Sequence, residues 1–395
     1  MCIRDRSIVV SGLGVVSSLG IGVEENLSHL YSGKSGISLC PEILSTNNKI
    51  PVGELKFTNN QLKEKLGIPT NRIISRTALL GMLAVKEAIT DAEIDTTHYN
   101  IGLVSSTSVG GMDLTEHFFQ DYIRDNSKGN LRQVVMHDCA ASTQAICNYC
   151  AITGYSTTIS TACSSSANAI IKGYNLLKHG ILDAVVVGGC DALSAFTLNG
   201  FKSLMILDKD FCKPFDATRA GLNLGEGAGY IILQREEDCR KKYCYLAGYA
   251  NTNDAFHQTA SSDNGEGAYL AMTQALAMAD LSAENIDYIN AHGTGTPNND
   301  LTESVAIARV FNKKVPFICS TKSYTGHTLA ASGGIEAVFS ILSLKEGFVP
   351  ASLHLHTPMD NGITVNTKLT KQVINTVLSN SFGFGGNCST LIFSK

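Results

Sequence analysis

The chain has 395 residues, of which 44% are hydrophobic and 17% are charged, and its formal net charge is −4. This composition excludes a disordered chain and predicts a globular protein with a large buried core. Nucleic-acid binding is not indicated, because the basic residues form neither a run nor a stripe interleaved with aromatic residues.

The twelve cysteines are scattered along the chain, and no secretory signal precedes them. Reduced thiols in a cytoplasmic protein are therefore expected rather than a disulfide framework. Cys147 and Cys150 form a lone C-x-x-C pair, which is interpreted as two buried thiols and not as a metal or redox site. No stretch reaches the roughly 18 apolar residues that a membrane span needs. The domain is expected to begin at Ser7, and whether residues 1–6 are native stays open.

The first half of the chain alternates between predicted strands and helices. Residues 7–11 read as a buried strand that ends in the turn Gly12-Leu13-Gly14. These glycines invite a dinucleotide-binding interpretation, but Ser17 occupies the place of the third glycine, which argues against it. Further along, a helix is predicted at 76–88, strands at 101–104 and 157–161, a helix after Cys163, and a strand at 182–187 that ends at Gly188-Gly189.

The second half repeats this alternation. Strands are predicted at 243–249, 286–290, 315–320 and 373–381, with helices at 267–280 and 334–344. Alternating strands and helices predict an α/β protein with largely parallel sheets, and the similar order in both halves predicts a pseudo-duplication. The two halves are expected to span residues 7–237 and 238–395.

Cys163 lies in the small-residue run Ser160–Ser166, where a predicted strand turns into a helix. Free backbone N–H groups at a helix start carry partial positive charge, which is expected to lower the pKa of a thiol and to hold an oxyanion. The sequence therefore predicts a nucleophilic thiol at Cys163.

Two histidines, His292 and His327, each follow a strand and precede a turn rich in glycine or threonine. Imidazoles beside a thiol can polarise a carbonyl group or carry protons, so the combination predicts catalysis. Their spacing is not that of a metal site, and no third ligand has a comparable context, so no metal is expected.

Several ordered motifs carry a resemblance to a known family. They are Gly12–Val16, Thr161-Ala162-Cys163-Ser164, Pro214-Phe215-Asp216, Leu224–Gly229, Ala291-His292-Gly293-Thr294, Thr321-Lys322-Ser323, Gly326-His327 and Ser381–Gly386. In this order, from Ser7 to Phe393, the chain resembles the elongating β-ketoacyl-acyl-carrier-protein synthases, which are acyltransferases. The resemblance implies the thiolase-like α/β fold, with two αβα halves that form a five-layered α-β-α-β-α core.

The resemblance also implies a reaction, decarboxylative Claisen condensation of an acyl-enzyme thioester with malonyl-acyl-carrier protein in fatty-acid or polyene and polyketide elongation. Cys163 resembles the acylated nucleophile, and His292 and His327 resemble the pair that supports decarboxylation. Lys322 matches an organising lysine. The supporting acids are Glu336, Asp300 and Glu303.

The remaining site residues are likewise implied by the resemblance. The backbone N–H groups of Cys163 and Phe384 would hold the oxyanion, and Phe384 resembles a gate between Gly383 and Gly385 that moves with the loop at 254–259. Thr294 and Thr296 match hydroxyls that hold the phosphopantetheine arm. Val109, Phe201 and Phe384 resemble residues that line the acyl pocket.

The partners follow from the same resemblance, and no cofactor is expected beyond the phosphopantetheine arm of the substrate. An acidic acyl-carrier protein is expected to dock on a basic patch, for which the candidates are Arg72, Arg76 and Lys202, with a second cluster at Arg124, Lys128 and Arg132. A homodimer, or a heterodimer with a related ketosynthase-like subunit, is expected to form through residues 148–160.

Departures from the family pattern leave the substrate open. They are Asn387-Cys388, Asn298-Asn299, Asn223 and the segment 137–152. Two other functions are considered, a non-catalytic subunit that sets chain length and a thiolase-like acyltransferase. The first is disfavoured because the nucleophile and both histidines are retained, and Cys388 alone does not supply the second. An initiating synthase is disfavoured by Gly326-His327.

Overall fold

The computed structural model describes residues 7–44, 49–96, 99–360 and 362–395. Its strands are β1 (Ile8–Ser17), β2 (Gly20–Ile21), β3 (Ile37–Ser38), β4 (Val52–Gly53), β5 (Ile101–Ser106), β6 (Ser156–Ile159), β7 (Ala184–Asp191), β8 (Leu224–Gly225), β9 (Gly227–Arg235), β10 (Cys244–Asn253), β11 (Tyr288–Asn290), β12 (Phe317–Cys319), β13 (Phe348–Val349), β14 (Thr370–Lys371), β15 (Thr376–Phe382) and β16 (Asn387–Ser394). Its α-helices are α1 (Val23–Ser32), α2 (Asn59–Leu66), α3 (Arg76–Asp91), α4 (Met112–Arg124), α5 (Leu131–Val134), α6 (Cys139–Cys150), α7 (Ser165–Lys178), α8 (Ala195–Ser203), α9 (Glu266–Met278), α10 (Pro297–Val310), α11 (Lys322–Thr325) and α12 (Ser332–Glu346). Among these described helices, none has the length and apolar character needed to cross a bilayer.

The main sheet contains the same five-strand arrangement twice. Its order is β12-β11-β15-β16-β10-β1-β9-β7-β5-β6, with β2 paired to β1. Counted inward from either edge, the first three strands pair parallel, and the fourth and fifth each pair antiparallel with the strand before them. From edge to centre, both halves place their strands in the order third, second, fourth, fifth and first along the chain. This repeat is what a pseudo-duplicated chain is expected to show, while the division at residues 237 and 238 stays a prediction.

The prediction of largely parallel sheets is wrong for the centre of the molecule. From β7 through β9, β1, β10 and β16 to β15, all neighbours pair antiparallel. A parallel pair needs a crossover of a dozen or more residues, and only four residues, 383–386, join β15 to β16. The alternation of elements along the sequence does not reveal these short returns.

Helices and sheet halves form five layers. Helices α7 and α12 pack together between the two halves, while α3 and α6 cover the outer face of the first half and α9 and α10 that of the second. Three apolar clusters fill the spaces between layers: one around α7 and α12, one under α3 and α6, and one under α9 and α10. The long central helices therefore begin inside the protein, next to the site described below.

Two predicted turns are instead parts of strands. Gly12 and Gly14 lie within β1, and a Cβ atom on them would come within 2.3 Å of the Ala88 carbonyl oxygen and 1.9 Å of that of Ala84. These glycines therefore allow the backbone of α3 to pack closely on the strand rather than forming a turn. The strand expected to end at Gly188 likewise continues to Asp191.

Candidate active site

Cys163 lies on a tight turn between β6 and α7. The preceding residue, Ala162, has a φ of 53°, which is uncommon for a residue other than glycine. Ser165 holds the turn, since its hydroxyl accepts from the Thr161 N–H at 2.8 Å and donates to the Ala162 carbonyl at 2.5 Å. This geometry places the thiol beside the first turn of α7, as the sequence predicts.

The electrostatic prediction for Cys163 is wrong in sign. Burial raises the pKa of its thiol to about 11, although the Lys322 charge and a hydrogen bond from the Phe384 N–H both act to lower it. The cost of placing a thiolate in a water-poor site outweighs the partial charge at the helix start. The resting nucleophile is therefore a neutral thiol at neutral pH.

His292 and His327 converge on this thiol. His327 Nε2 lies 3.1 Å from Cys163 Sγ, and the two imidazole rings meet edge to face with centroids 5.5 Å apart. All three side chains are buried. In the sequence, His292 lies 129 positions after Cys163 and His327 lies 164 positions after it. The fold therefore brings together side chains that are far apart along the chain.

The hydrogen bonds behind His327 determine its tautomer. The Leu329 N–H donates to His327 Nδ1 at 3.1 Å, and the Ser332 hydroxyl lies 3.0 Å from the same nitrogen. A backbone N–H can only donate, so Nδ1 must be an acceptor. The neutral imidazole consequently carries its proton on Nε2, which faces Cys163.

Lys322 sets the tautomer of His292 in the same way. Its ammonium group contacts three acceptors: His292 Nδ1 at 3.2 Å, the His292 carbonyl oxygen at 2.6 Å, and a carboxylate oxygen of Glu336. Three N–H bonds and three acceptors leave none of its donors unpaired. Burial and the Lys322 charge lower the pKa of both histidines well below the usual value, so both stay neutral with Nε2–H groups available.

The three predicted supporting acids all lie behind these groups. Glu303 accepts the backbone N–H groups of His292 at 2.9 Å and Gly293 at 2.8 Å, and Asp300 accepts that of Gly295 at 3.1 Å. Burial raises the pKa of Glu303 to about 7, against these hydrogen bonds. Glu336 is buried against Lys322. The acids therefore shape the His292 turn and hold the lysine.

A cavity of about 380 Å³ leads from the surface to the thiol and both imidazoles. Thr294 and Thr296, whose hydroxyls lie 2.8 Å apart, line it together with Phe201 and Phe384. Val109 does not border this cavity but packs in the apolar cluster that Phe201 also contacts, so its predicted place in the lining is not seen. The lining thus combines hydroxyl groups with aromatic rings.

The loop at 383–386 carries Phe384 over the cavity. The Phe384 ring stacks on Phe201 with centroids 6.2 Å apart, and Gly385 has a φ of 83°. The Gly385 N–H donates to the Gln258 carbonyl at 2.7 Å, and Asn253 donates to the Gly385 carbonyl at 3.0 Å. The loop at 254–259 therefore contacts the predicted gate directly, and coupled movement of the two stays a prediction.

The basic residues expected to meet a carrier protein do not all lie on the surface. Arg72, Lys202 and the cluster of Arg124, Lys128 and Arg132 are exposed. Arg76 is buried, and its guanidinium binds both carboxylate oxygens of Glu226 at 2.6 and 2.9 Å. The prediction that Arg76 contacts a carrier protein is therefore wrong, because the side chain at the start of α3 points inward to Glu226.

Cys163, His292 and His327 are also residue types that can bind a metal ion. Sγ of Cys163 and one nitrogen of each histidine lie within 4.8 Å of one another, which is close enough for shared coordination. However, Leu329 and Lys322 place N–H donors at the outer nitrogens, so the inner nitrogens carry protons and cannot bind a metal in that state. The hydrogen bonds favour two donors aimed at an oxygen atom over a metal centre.

Three contributing residues are absent from the sequence-based predictions. Ser332 contacts His327, Asp191 accepts N–H groups from Ser108 and Ala330, and the Asn387 side chain accepts from the Ser164 hydroxyl at 2.6 Å beside the nucleophile. Asn387 was singled out only as a departure. The one local signal for Asp191 is an aspartate two positions after Gly188-Gly189, and no local feature distinguishes Ser332.

Family profiles and curated proteins match this chain over most of its length. The family profile "Beta-ketoacyl synthase, N-terminal domain" matches residues 5–239, and "Beta-ketoacyl synthase, C-terminal domain" matches residues 243–356. Among curated proteins, 3-oxoacyl-[acyl-carrier-protein] synthase 2 of Staphylococcus aureus (strain COL) is 31% identical over 99% of both chains, and synthase 1 of Haemophilus influenzae is 33% identical over 99% of both.

Solved structures give the same result for the fold. A ketosynthase (ApeO) in complex with its chain length factor (ApeC) from Xenorhabdus doucetiae has a TM-score of 0.88 at 30% identity, covering 100% of this chain and 99% of that one. The ishigamide ketosynthase/chain length factor has a TM-score of 0.91 at 26% identity over 99% of both chains. These findings confirm the predicted thiolase-like fold class and the predicted acyltransferase class. The chain belongs to the β-ketoacyl synthase family.

Proposed function

We propose that this chain condenses an acyl group on Cys163 with malonyl-acyl-carrier protein, releasing carbon dioxide and giving a β-ketoacyl-carrier protein. One observation carries the proposal: a buried thiol and two Nε2–H donors face the same end of one cavity. The proposal assigns Cys163, His292 and His327 the catalytic roles.

Acyl transfer to Cys163 is the first half-reaction. The thioester carbonyl of the incoming acyl group would lie over the turn, where the Phe384 N–H already points at the sulfur atom. That N–H and the one of Cys163 are the donors proposed for the tetrahedral oxyanion. The second product of this step is the free carrier thiol, which leaves through the cavity.

Decarboxylation of the malonyl group is the second half-reaction. Loss of carbon dioxide leaves an enolate whose negative oxygen needs donors, and the two Nε2–H groups supply them. Both imidazoles are neutral and each carries its one proton on Nε2, so each can donate that N–H to the oxygen atom. The enolate carbon then attacks the acyl-cysteine carbonyl, which forms the new carbon–carbon bond. The bond from that carbonyl to sulfur breaks, and the thiolate of Cys163 takes up one proton from water to return to the neutral thiol.

The carrier protein is proposed to dock at the cavity mouth. Lys202 is exposed and lies between Phe201 and Leu204, which both line the cavity. Its charge is therefore placed to attract an acidic carrier while the phosphopantetheine arm passes Thr294 and Thr296. A type II PKS ketosynthase, which is similar to this chain in fold at 24% identity and a TM-score of 0.86, has been solved in complex with its acyl-carrier protein.

A dimer through the segment before the nucleophile is part of the proposal. Strand β6 is the last strand at one edge of the main sheet, so it can pair with a second chain across a twofold axis. Large apolar side chains on α4, on α5 and just after α5 are also exposed, among them Phe119, Ile123, Leu131 and Val135. Light scattering of the chain alone distinguishes a homodimer from a chain that stays monomeric until a related partner is added.

A turnover assay tests the function. Malonyl-carrier protein is mixed with acyl-carrier proteins of graded length and unsaturation, without added metal, and products are read by intact mass. Condensation predicts an acyl adduct on Cys163, release of carbon dioxide and growth of the chain by two carbons. A thiolase-like enzyme would extend the chain without malonyl decarboxylation, and a chain-length subunit would form no adduct. Either result contradicts the proposal.

A further inference from the structure

The proposed oxyanion site takes its two N–H donors from segments that are far apart in the sequence. The Cys163 N–H belongs to the turn before α7, and the Phe384 N–H belongs to the loop at 383–386. The two backbones lie in close contact, since a Cβ atom on Gly383 would come within 2.8 Å of the Thr161 carbonyl oxygen. Both donors must reach the same oxygen atom, at about 2.7–3.1 Å. The spacing of the two segments therefore matters for acyl transfer.

Asn387 contacts both segments. It is the first residue of β16, directly after the loop, and its carbonyl oxygen accepts the Gly383 N–H at 2.7 Å. Its side-chain Oδ1 lies 2.6 Å from the hydroxyl of Ser164, the residue that follows Cys163. The Ser164 hydroxyl is buried and also lies 2.7 Å from the Thr161 carbonyl oxygen, so its proton is shared between two acceptors. One residue thus joins the loop through its backbone and the turn through its side chain.

Two further amides fix the Asn387 side chain. Asn168 on α7 donates one N–H to the Thr161 hydroxyl at 2.8 Å and the other to Asn387 Oδ1 at 3.0 Å. Asn251 on β10 donates to the same Oδ1 at 2.9 Å and accepts the Asn387 Nδ2–H at 3.2 Å. An amide side chain offers an acceptor on one side and donors on the other, and here both sides are paired. The orientation of Asn387 is therefore determined, with its oxygen atom toward the nucleophile turn.

We infer that Asn387 is a positioning residue, which holds the loop of Phe384 on the turn of Cys163 and thereby sets the spacing of the two oxyanion donors. The inference rests on the proposed function and gives a role to a residue that departs from the family pattern. Acyl transfer uses this oxyanion site. Decarboxylation uses the Nε2–H groups of His292 and His327, which take no part in the Asn387 contacts named above. Loss of the Asn387 side chain should therefore affect acyl transfer selectively.

The two half-reactions measured separately test the inference. Acyl transfer is followed by single-turnover intact mass of the Cys163 adduct, and decarboxylation by release of carbon dioxide from malonyl-carrier protein. Asn387→Ala removes the acceptor oxygen and is expected to slow acyl transfer by about 10²-fold, the scale for an oxyanion donor displaced from its position. Decarboxylation should stay within about a factor of three, because its two donors keep their places.

Two further variants separate positioning from general damage. Asn387→Asp keeps an oxygen atom in the place of Oδ1 and should recover acyl transfer to within about tenfold of the wild type, the remaining loss arising from a negative charge near the oxyanion. Asn175→Ala is the matched control, because Asn175 also links α7 to β10, about two helical turns beyond Asn168. Its amide donates to the Ile171 carbonyl oxygen at 3.0 Å and accepts from the Tyr249 hydroxyl at 2.9 Å. The control should change neither rate.

Hydrogen exchange read by mass spectrometry tests the same contact without any substrate. Asn387→Ala should raise exchange in the peptide that spans residues 160–167 by about tenfold, because the turn loses its anchor on β16. Asn387→Asp and Asn175→Ala should leave exchange in this peptide near the wild-type rate.

Four results would overturn the inference. Equal loss of both half-reactions in Asn387→Ala would show a purely structural role, and acyl transfer at the wild-type rate would show that the donor spacing does not depend on this residue. Equal acyl transfer in the Ala and Asp variants would exclude the acceptor oxygen as the cause, and unchanged exchange in Asn387→Ala would exclude the anchor. If the wild-type enzyme forms no Cys163 adduct, the proposed function fails instead, while the exchange experiment still decides whether Asn387 holds the turn.

Discussion

Lys322 Nζ lies 3.2 Å from His292 Nδ1 and 2.6 Å from the carbonyl oxygen of the same residue. The lysine thus fixes the tautomer of one histidine with an ammonium group, while a backbone N–H fixes that of the other. Both arrangements turn an Nε2–H toward the thiol. The site consequently depends on residues that never need to contact the substrate.

Removing the nucleophile should separate the two half-reactions. Cys163→Ala is expected to form no acyl adduct and no condensation product, yet to decarboxylate malonyl-carrier protein, because both Nε2–H donors remain. His292→Ala and His327→Ala should each lower decarboxylation by about 10²- to 10³-fold, the scale for loss of one oxyanion donor. Release of carbon dioxide at the wild-type rate by both histidine variants would contradict the assigned roles.

The pH dependence of thiol alkylation should report the raised pKa of Cys163. A thiol with a pKa of about 11 is mostly protonated at pH 7, and its thiolate fraction increases tenfold per pH unit until the pH approaches that pKa. Alkylation of the Cys163 peptide by iodoacetamide, followed by mass spectrometry, should therefore keep rising from pH 7 to pH 10. A rate that levels off below pH 8 would instead indicate a thiolate stabilised by the start of α7.

The buried pair Lys322 and Glu336 should contribute to stability and activity in different ways. Glu336→Ala leaves a buried ammonium without its carboxylate, which is expected to lower the free energy of unfolding by about 3–5 kcal/mol. Replacing both partners, as Lys322→Met with Glu336→Leu, should recover most of that loss, since no buried charge remains unpaired. Decarboxylation should stay low in the double variant because His292 loses its tautomer lock. Urea unfolding and carbon dioxide release measure the two effects, and a double variant as active as the wild type would refute the role of the lysine.

Backbone strain in the gate should affect acyl loading. Gly385 has a φ of 83° and open space around its Cα atom, so Gly385→Ala adds strain of about 1–2 kcal/mol without a collision. We expect slower acyl transfer from carrier-bound substrates. Gly180, at a φ of 68° and with similarly open space, lies after the far end of α7 and serves as the matched control. Equal losses of activity in Gly385→Ala and Gly180→Ala would show that stability, not gate movement, limits the rate.

Charge reversal at the cavity mouth should weaken carrier docking. Lys202→Glu is expected to raise the KM for carrier-bound substrate severalfold to about tenfold, while sparing a small thioester mimic, because a rim charge acts mainly on association. Lys313→Glu is the control, since this exposed lysine follows the end of α10, whose 14 residues extend about 20 Å away from the cavity. The same loss on both substrate types would indicate damage to the fold.

Much of the fold and the site was predictable without coordinates. Strong local patterns identified α3, α7, α9 and α12, although their ends shifted by a few residues. The sequence does not divide the segment from 112 to 150 into helices α4 to α6, because α4 and α5 expose large apolar residues such as Phe119, Ile123 and Leu131, whereas α6 buries Ile146 and Cys147. Strand β9 was noticed only as a motif, since nine buried residues with no polar alternation leave no period to detect.

The ordered motifs alone were sufficient to predict the family, the nucleophile and the two histidines, because each small-residue turn beside a reactive side chain is a local feature. The orientation of side chains and the protonation state of buried groups could be determined only from the tertiary structure. Whether Arg76 meets solvent or Glu226, and whether the Cys163 thiol is acidic or nearly neutral, depends on which groups surround it after folding. The same holds for the tautomer of His327, which a backbone N–H and a serine hydroxyl set only once α12 lies against the nucleophile turn. Local sequence encodes which groups are present, and burial decides their protonation and their partners, because solvation and hydrogen bonding depend on residues far apart along the chain.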